Sequence, residues 1–117
     1  PAITSTRVLM KTIILINQDQ MGHGDQALGQ KILRTFLRKS IVIENLDAIL
    51  FYNTGTRLLD RSSPALGELS ALEERGVELL PCGTCVDALD VDLAVGRLSD
   101  MDTLVRVIDR AQKVITL

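Results

Sequence analysis

The chain has 117 residues, enough for one domain with its own core and too few for two domains of ordinary size. Its formal net charge of −2 excludes nonspecific nucleic-acid binding as a main role, because such binding requires a basic face that displaces counterions from phosphates. Its apolar runs are shorter than the ~20 residues that cross a bilayer and no secretory signal is visible, so we expect a cytoplasmic protein without membrane association. Residues 1–6 are polar and aperiodic, which indicates a tail or linker remnant before one domain over residues 7–117.

The first half of the domain alternates between strand and helix patterns. The apolar run at residues 7–17 is rich in isoleucine, which is typical of a strand that is covered on both faces. A stripe of apolar side chains at helical spacing then predicts a helix over residues 25–39, and Asp25 is placed to cap its first turn. Residues 45–53 predict a second buried strand.

The next helix carries clear boundary signals. We predict it over residues 62–76, with Ser63 as its cap and Pro64 at the first helical position, where a missing N–H is tolerated. Gly76 fits the left-handed residue that often follows a helix. A third, short strand is expected at residues 77–81.

The last third of the chain contains both cysteines and the final elements. The stretch CGTCVDALD, after the third strand, predicts a turn or a short helix. Residues 93–98 predict a fourth strand, and residues 99–112 predict a helix with Ser99 as its cap. Residues 113–117 predict a fifth strand at an edge of the sheet, where unpaired backbone groups favour association into homo-oligomers.

The alternation of strands and helices defines the expected fold class. We predict a three-layer α/β sandwich with a mostly parallel, five-stranded sheet of flavodoxin-like or Rossmann-like type, because parallel strands need helical crossovers. In such sheets, ligands and reactive groups gather at the carboxyl ends of the strands. The loops expected at this edge contain the histidine, both cysteines and an Asn-Thr-Gly-Thr stretch, and they read QDQMGHGD, NTGTRLLD, PCGTCVD and SDMD.

The spacing of Cys82 and Cys85 leaves four interpretations open. The cysteines can be two small packed residues at a strand end, or a C-x-x-C dithiol that exchanges with disulfides. A zinc site would need a carboxylate or another subunit, because the chain supplies only two cysteines and one histidine, and we predict no metal and no cofactor. The fourth interpretation is a thiolate nucleophile that accepts a sulfur atom as a persulfide and passes it on.

Cys85 is the stronger candidate for this nucleophile. A helix that begins near Thr84 would place Cys85 in its first turn, where unpaired backbone N–H groups stabilise an anion and lower the pKa of a thiol. Gly83 lets the preceding loop turn tightly, so that Cys82 can lie close enough to exchange sulfur with Cys85.

Residues of the other loops are candidates for the wall of a pocket. His23 can orient a substrate or assist proton transfer, and it can equally be a solvated loop residue between Gly22 and Gly24. These two glycines fit backbone geometry better than a phosphate-binding motif, although an N–H-lined pocket for a small anion stays open. Asn53 and Thr54 either line the pocket or cap the end of the second strand.

Several stretches carry a family resemblance, and the most specific of them are the G-x-G-D loop and the C-G-x-C segment. The stretches are GHGDQALGQKILRTFL, ILFYNTGTRLL, LEERGVELLPCGTCVDAL, LAVGRLSDM and KVITL. Together they resemble the DsrE-like domain of YedF-type proteins, over nearly the whole chain from Arg7 to Leu117. The resemblance implies a flavodoxin-like or Rossmann-like sandwich, often in homo-oligomers.

The resemblance also implies a function in sulfur transfer or selenium metabolism. Sulfur-relay members of the family carry a persulfide on a cysteine in a Cys-Val-x-Ala setting, which corresponds to Cys85, and Cys82 matches an additional cysteine of a subset. A TusA-like carrier is the implied partner. YedF-type proteins resemble fusions with an N-terminal TusA-like domain that this sequence does not contain, so we expect a C-terminal domain or a standalone relative. The alternatives are a non-catalytic module that docks a TusA-like partner and a dithiol–disulfide redox protein.

Overall fold

The computed structural model describes residues 9–117, so the tail expected at residues 1–6 and the beginning of the first expected strand lie outside the described residues. The strands are β1 (Thr12–Ile16), β2 (Leu46–Phe51), β3 (Glu78–Pro81) and β4 (Lys113–Thr116). The α-helices are α1 (Gln26–Lys39), α2 (Leu66–Glu74), α3 (Gly83–Ala88) and α4 (Met101–Arg110). Short 3₁₀-helices follow α1 and β2, at Ser40–Val42 and Asn53–Leu59.

The described sheet has four parallel strands in the order β3-β2-β1-β4, so the parallel α/β sheet is confirmed and the expectation of five strands is wrong. The segment expected as the fourth strand, residues 93–98, forms no strand. Gly96 has a left-handed φ of 87°, which interrupts an extended run, and its N–H donates to the Glu73 side chain. The neighbouring Arg97 N–H donates to the Leu79 carbonyl of β3, so isolated bonds rather than a ladder hold this segment.

The order of the strands explains which face each helix covers. From β1 to β2 to β3 the chain moves across the sheet in one direction, and after β3 it returns past β2 and β1 to β4. Crossovers between parallel strands are right-handed, so reversing the direction puts the later helix on the opposite face. Helices α1 and α2 therefore pack on one face, here named the α1–α2 face, and α4 packs on the other, named the α4 face.

Alternate side chains of the same strands form the cores of the two faces. Ile14 and Ile16 of β1 pack on the α1–α2 face, whereas Ile13 and Leu15 pack on the α4 face. The helices complete the α1–α2 core with Leu33, Leu37, Leu69 and Leu72. Helix α4 completes the opposite core with Leu104 and Val107, and this core also includes Cys82.

The expected boundaries of the first two helices hold in part. Asp25 caps α1 by accepting a first-turn N–H at 2.7 Å, and Gly76 has a left-handed φ of 96° after α2, so both expectations are confirmed. Helix α2 begins at Leu66, later than expected. The Ser63 hydroxyl accepts the Ala65 N–H at 3.1 Å, which makes a turn before the helix rather than a cap on it.

The cap of α4 differs from the expectation. Asp100 accepts the Thr103 N–H at 2.8 Å and caps the helix, so the assignment of Ser99 as the cap is wrong. Ser99 is buried and forms an isolated parallel bridge with Cys82. Strand β4 lies at the edge of the sheet beside β1, as expected. Within residues 9–117, every helix is too short or too polar to cross a membrane.

Candidate functional site

The carboxyl edge of the sheet brings both cysteines next to the loop that follows β2. Cys82 comes directly after β3, is 2% exposed and donates its N–H to the Phe51 carbonyl at 2.9 Å. Helix α3 begins at Gly83, so Cys85 lies in its first turn, where it is half-buried. Both cysteines are free thiols, and Cys82 is close enough to raise the pKa of the Cys85 thiol. The C-x-x-C spacing therefore places two sulfur atoms side by side.

The hydrogen bond to the Cys85 sulfur comes from the loop after β2. The Asn53 N–H donates to Sγ at 3.1 Å. Asn53 has a left-handed φ of 51°, a conformation that asparagine tolerates better than most residues do. The Thr56 hydroxyl donates to the Asn53 carbonyl at 2.8 Å and holds the turn. The amide that faces the sulfur is thus fixed by its own 3₁₀-helix.

Gly55 fits this turn against the end of β1. A Cβ at Gly55 would collide with the Ile16 carbonyl oxygen, so the close approach needs glycine. The Gly55 N–H donates to the Tyr52 carbonyl at 3.1 Å, and the Tyr52 N–H donates to the Ile16 carbonyl at 3.1 Å. A side chain at position 55 would push the loop from β1 and displace the Asn53 N–H with it.

Gly83 and Ser99 make a second close approach under the thiols. The Gly83 N–H donates to the Ser99 carbonyl at 3.0 Å, and a Cβ at Gly83 would lie 2.8 Å from that oxygen. The Ser99 N–H donates to the Pro81 carbonyl at 2.9 Å. Within the described part of the chain, the buried Ser99 hydroxyl has no hydrogen-bond partner. These bonds anchor the start of α3 to the chain that enters α4.

Burial raises the pKa of the Cys85 thiol above its ordinary value. The Asn53 hydrogen bond opposes this increase by favouring the thiolate, and the adjacent Cys82 thiol adds to it. The net direction is opposite to the expectation that first-turn amides of α3 would lower the pKa. The reason is that the side chain packs against the core of the α4 face, so desolvation outweighs a single N–H.

The glycine-rich loop after β1 is exposed. The Gln20 side-chain amide donates to the carbonyls of Gly22 at 3.0 Å and Gly24 at 3.2 Å, and Gly22 has a left-handed φ of 86°. The carbonyls of both glycines accept hydrogen bonds from Gln20, so the two glycines belong to a loop that the Gln20 side chain holds together. His23 between them is exposed, and the hydrogen bonds of residues 9–117 include none from His23 to either cysteine.

Of the residues expected to line a pocket, the structure brings Asn53 to the Cys85 sulfur and Gly83 to the base of α3. Thr54 is half-buried and Thr84 is exposed, and neither is hydrogen-bonded to a thiol within the described region. Sequence reasoning missed Ser99 and Tyr52. A bridge between Cys82 and Ser99 joins positions distant in the chain, and no local pattern signals it.

A metal site built from this chain has no support in residues 9–117, since they contain no group of three or more clustered His, Cys, Asp or Glu side chains. Zinc at the two thiols would need ligands from elsewhere.

Comparison with known structures establishes the fold. The crystal structure of the ychN protein from E. coli superposes with a TM-score of 0.68 at 21% sequence identity, over 92% of this chain and 99% of that chain. The structure of MTH1491, a protein of unknown function from Methanobacterium thermoautotrophicum, gives a TM-score of 0.62 at 20% identity, over 86% of this chain and 90% of that chain. No sequence-family model and no curated protein matches the chain.

Both of these structures have the DsrE/YchN-like fold. The fold is therefore consistent with the resemblance to the DsrE-like family, and membership in that family and the YedF-type assignment stay predictions.

Proposed function

We propose that this chain is a sulfur-handling protein in which Cys85 accepts a sulfane sulfur atom as a persulfide and passes it to an acceptor thiol. The observation that supports this most is the Cys85 Sγ, half-buried at the carboxyl edge of the sheet with the Asn53 N–H at 3.1 Å and a second thiol, Cys82, three residues earlier in the chain. The DsrE/YchN-like fold adds support at the level of the family.

Loading of Cys85 transfers one sulfur atom without an added oxidant or reductant. The thiol first loses its proton to solvent, and the thiolate attacks the terminal sulfur of a donor R–S–SH. The bond between the two donor sulfurs breaks, and the leaving RS⁻ takes up a proton. The products are the persulfide Cys85–S–SH and R–SH. Delivery repeats the same exchange, since an acceptor thiolate attacks the outer sulfur and Cys85 leaves as a thiolate.

The Asn53 N–H has a defined part in both steps. It donates to the sulfur that is anionic when it attacks and anionic again when it leaves, so it stabilises the charged form on both occasions. The raised pKa of Cys85 limits the thiolate fraction at neutral pH but makes each thiolate more nucleophilic. We therefore expect loading to accelerate with pH until the pH passes the pKa of Cys85.

Cys82 provides a second fate for the persulfide. Its thiolate can attack the inner sulfur of Cys85–S–SH, which releases HS⁻ and leaves a Cys82–Cys85 disulfide. A dithiol reductant must then return both residues to thiols. The influence of Cys82 on the pKa of Cys85 indicates that the two thiols are close, which supports this role for Cys82 as resolving thiol.

The partner and the assembly follow from the family resemblance. We propose a TusA-like sulfur carrier as donor or acceptor, with selenium as an alternative cargo, as in the YedF-type group. A homo-oligomer is supported by β4, which lies at the edge of the described sheet and pairs with β1 on one side. Light scattering that finds only monomers would remove the homo-oligomer.

The test of the proposed function is intact-protein and peptide mass spectrometry after incubation with a persulfide donor. We expect one added sulfur on Cys85 in the wild type and none on that site in Cys85→Ser. Cys82→Ser should keep the added sulfur for longer, because the resolving thiol is gone. If neither the wild type nor Cys82→Ser gains sulfur from any donor, the proposal is wrong.

A second candidate is a non-catalytic module that docks a TusA-like partner. The raised pKa of Cys85 and the burial of Cys82 favour it, because inert structural thiols are protonated and packed. The pH dependence of the alkylation rate separates the two candidates. A rate for Cys85 that stays negligible across the pH range in which a free thiol reacts would favour the docking module.

A further inference from the structure

An apolar cavity opens on the α4 face close to the candidate site. Its volume is about 280 Å³, and it is lined by Leu15, Leu50, Tyr52, Met101, Leu104 and Ile108. None of these side chains is charged, and the Tyr52 hydroxyl is the polar group among them. A fully apolar cavity of about 150 Å³ holds benzene, so a space of this size and lining suits a small apolar ligand.

The cavity and the candidate nucleophile share a wall. Tyr52 lines the cavity and directly precedes Asn53, whose N–H donates to the Cys85 Sγ at 3.1 Å. Tyr52 and Cys85 also pack against the same buried cluster, in which Leu50 and Leu104 are members. Neither cysteine lines the cavity, so Tyr52 and the shared cluster are what connect a ligand there to the Cys85 sulfur.

The charges around the sulfur restrict what the ligand can be. The six residues that line the cavity are uncharged, and the hydrogen bond to the Cys85 sulfur comes from the Asn53 backbone N–H rather than from a cationic side chain. An anionic donor such as thiosulfate would lose hydration here without gaining a cationic partner. An apolar R group has no charge to desolvate, and its transfer from water into the cavity is favourable.

Resting on the proposed function, we propose that this cavity holds the R group of the sulfur donor, and that the donor is a small organic hydropersulfide with an alkyl or aryl R group. The terminal sulfur then faces the Cys85 thiolate. The S–S bond of the donor breaks as before, and the apolar thiol R–SH leaves. Met101 at the rim and Tyr52 at the wall set the preference for an uncharged R group.

The first test compares two donors that differ by one carboxylate group, benzyl hydropersulfide and 4-carboxybenzyl hydropersulfide. We expect the wild type to be loaded about tenfold faster by the benzyl donor, since a buried carboxylate without a partner is disfavoured by at least that factor. Met101→Lys should reduce or reverse the ratio of the two loading rates, because it places a cation in the cavity lining beside the carboxylate. The control is Val105→Lys, which adds the same charge on the same helix at a side chain that is 55% exposed, against 48% for Met101, and outside the cavity lining.

The second test measures binding without sulfur transfer. Benzyl methyl sulfide has no sulfane sulfur, so it can fill the cavity but cannot load Cys85. We expect it to shift the methyl NMR signal of Met101 and to compete with benzyl hydropersulfide. The Met21 methyl, which packs on the α1–α2 face, should not shift and serves as the internal reference.

The outcomes distinguish the inference from the proposed function. Equal loading by both donors with no shift of the Met101 methyl overturns the inference and leaves Cys85 as a sulfur acceptor. A shift of Met101 with no persulfide from either donor overturns the proposed function and the donor assignment together. Faster loading by the benzyl donor, lost in Met101→Lys and kept in Val105→Lys, supports both.

Discussion

The two faces of the sheet are built from the same strands and have different contents. The α1–α2 face is covered by α1, of 14 residues, and α2, of nine, and holds the larger core, including Phe51 and Leu69. The α4 face is covered by α4 and the short α3, and its smaller core includes Cys82, with Cys85 packed against it. The comparison indicates that the α1–α2 face supplies stability, whereas incomplete cover on the α4 face leaves room for a thiol and a cavity.

The reason for this asymmetry is the return of the chain from β3 to β4. Two crossovers cover the α1–α2 face, and the last crossover must span β2 and β1 on the other face with the ten residues of α4 and the six of α3. Part of this face stays open as the cavity of about 280 Å³, where Leu15 and Leu50 of the strands lie beside Met101 of α4. Four predictions test this difference between the faces.

The largest expected effect is on the free energy of unfolding when the same side chain is truncated on each face. Leu69 is 0% exposed and Leu104 is 1% exposed, so the pair is matched for burial. We expect Leu69→Ala to cost about 4 kcal/mol and Leu104→Ala about 2 kcal/mol, because Leu104 already borders a cavity and loses fewer contacts. Urea unfolding measures both. Equal costs would mean that the α4 face is packed as tightly as the other.

The second effect concerns the turn that presents the Asn53 N–H. Gly55→Ala forces a Cβ against the Ile16 carbonyl, and we expect a loss of about 2 kcal/mol in stability. Alkylation of Cys85 should show a further increase in its pKa, because the amide moves from the sulfur. Gly67→Ala in α2 is the control, since a Cβ there meets nothing within 4 Å, and it should stabilise the protein by about 0.5 kcal/mol. A Gly55→Ala protein with unchanged Cys85 reactivity would show that the turn does not position the amide.

The third effect is the cap of α4. Asp100→Ala should cost about 1 kcal/mol because it removes the acceptor of the Thr103 N–H. Ser99→Ala removes a buried hydroxyl that lacks a partner in residues 9–117, so we expect a change within about 0.5 kcal/mol. Thermal unfolding compares the two variants. If Ser99→Ala lowered the free energy of unfolding more than Asp100→Ala does, Ser99 rather than Asp100 would be the cap of α4.

The smallest expected effect is a dependence of the free energy of unfolding on pH, caused by the Cys85 thiol. A thiol whose pKa is raised by folding contributes stability that is complete below its unfolded pKa and is lost as the pH rises through the folded pKa. Stability should therefore decline above the ordinary thiol pKa of about 8.5, and Cys85→Ser should remove that part of the decline. Cys82→Ala should lower the pKa of Cys85, since the Cys82 thiol raises it. An alkylation midpoint for Cys85 below the ordinary value would contradict the burial of its sulfur.

Sequence periodicity and turn chemistry predicted the parallel α/β class, the cap at Asp25, the left-handed Gly76 and the edge position of the last strand. These features depend on local patterns and on the handedness of crossovers, which the chain itself carries. The prediction of a strand at residues 93–98 was wrong, because an apolar run does not reveal whether a neighbouring strand is available to pair with it. Gly96 in the middle of that run was the signal against it.

The sequence predicted where the candidate site lies but not which groups contact the Cys85 sulfur. The C-x-x-C spacing placed the two thiols together at the carboxyl edge. The Asn53 amide could not be predicted as the partner of Cys85, because a backbone N–H has no sequence signature and the two residues meet only through the packing of β2 beside β3. The direction of the Cys85 pKa likewise depends on burial, which spacing does not reveal.

A single-turnover chase with isotopically labelled sulfane sulfur addresses the role of Cys85 without relying on a partner protein. The protein is loaded with labelled donor, freed of excess donor, and mixed with a small acceptor thiol, while mass spectrometry follows the label on the peptide that contains both cysteines. We predict one labelled sulfur on Cys85 that moves to the acceptor as the peptide returns to its unmodified mass. A peptide that never carries the label, or that forms the Cys82–Cys85 disulfide with no labelled persulfide before it, would contradict the role of Cys85 as a sulfur carrier.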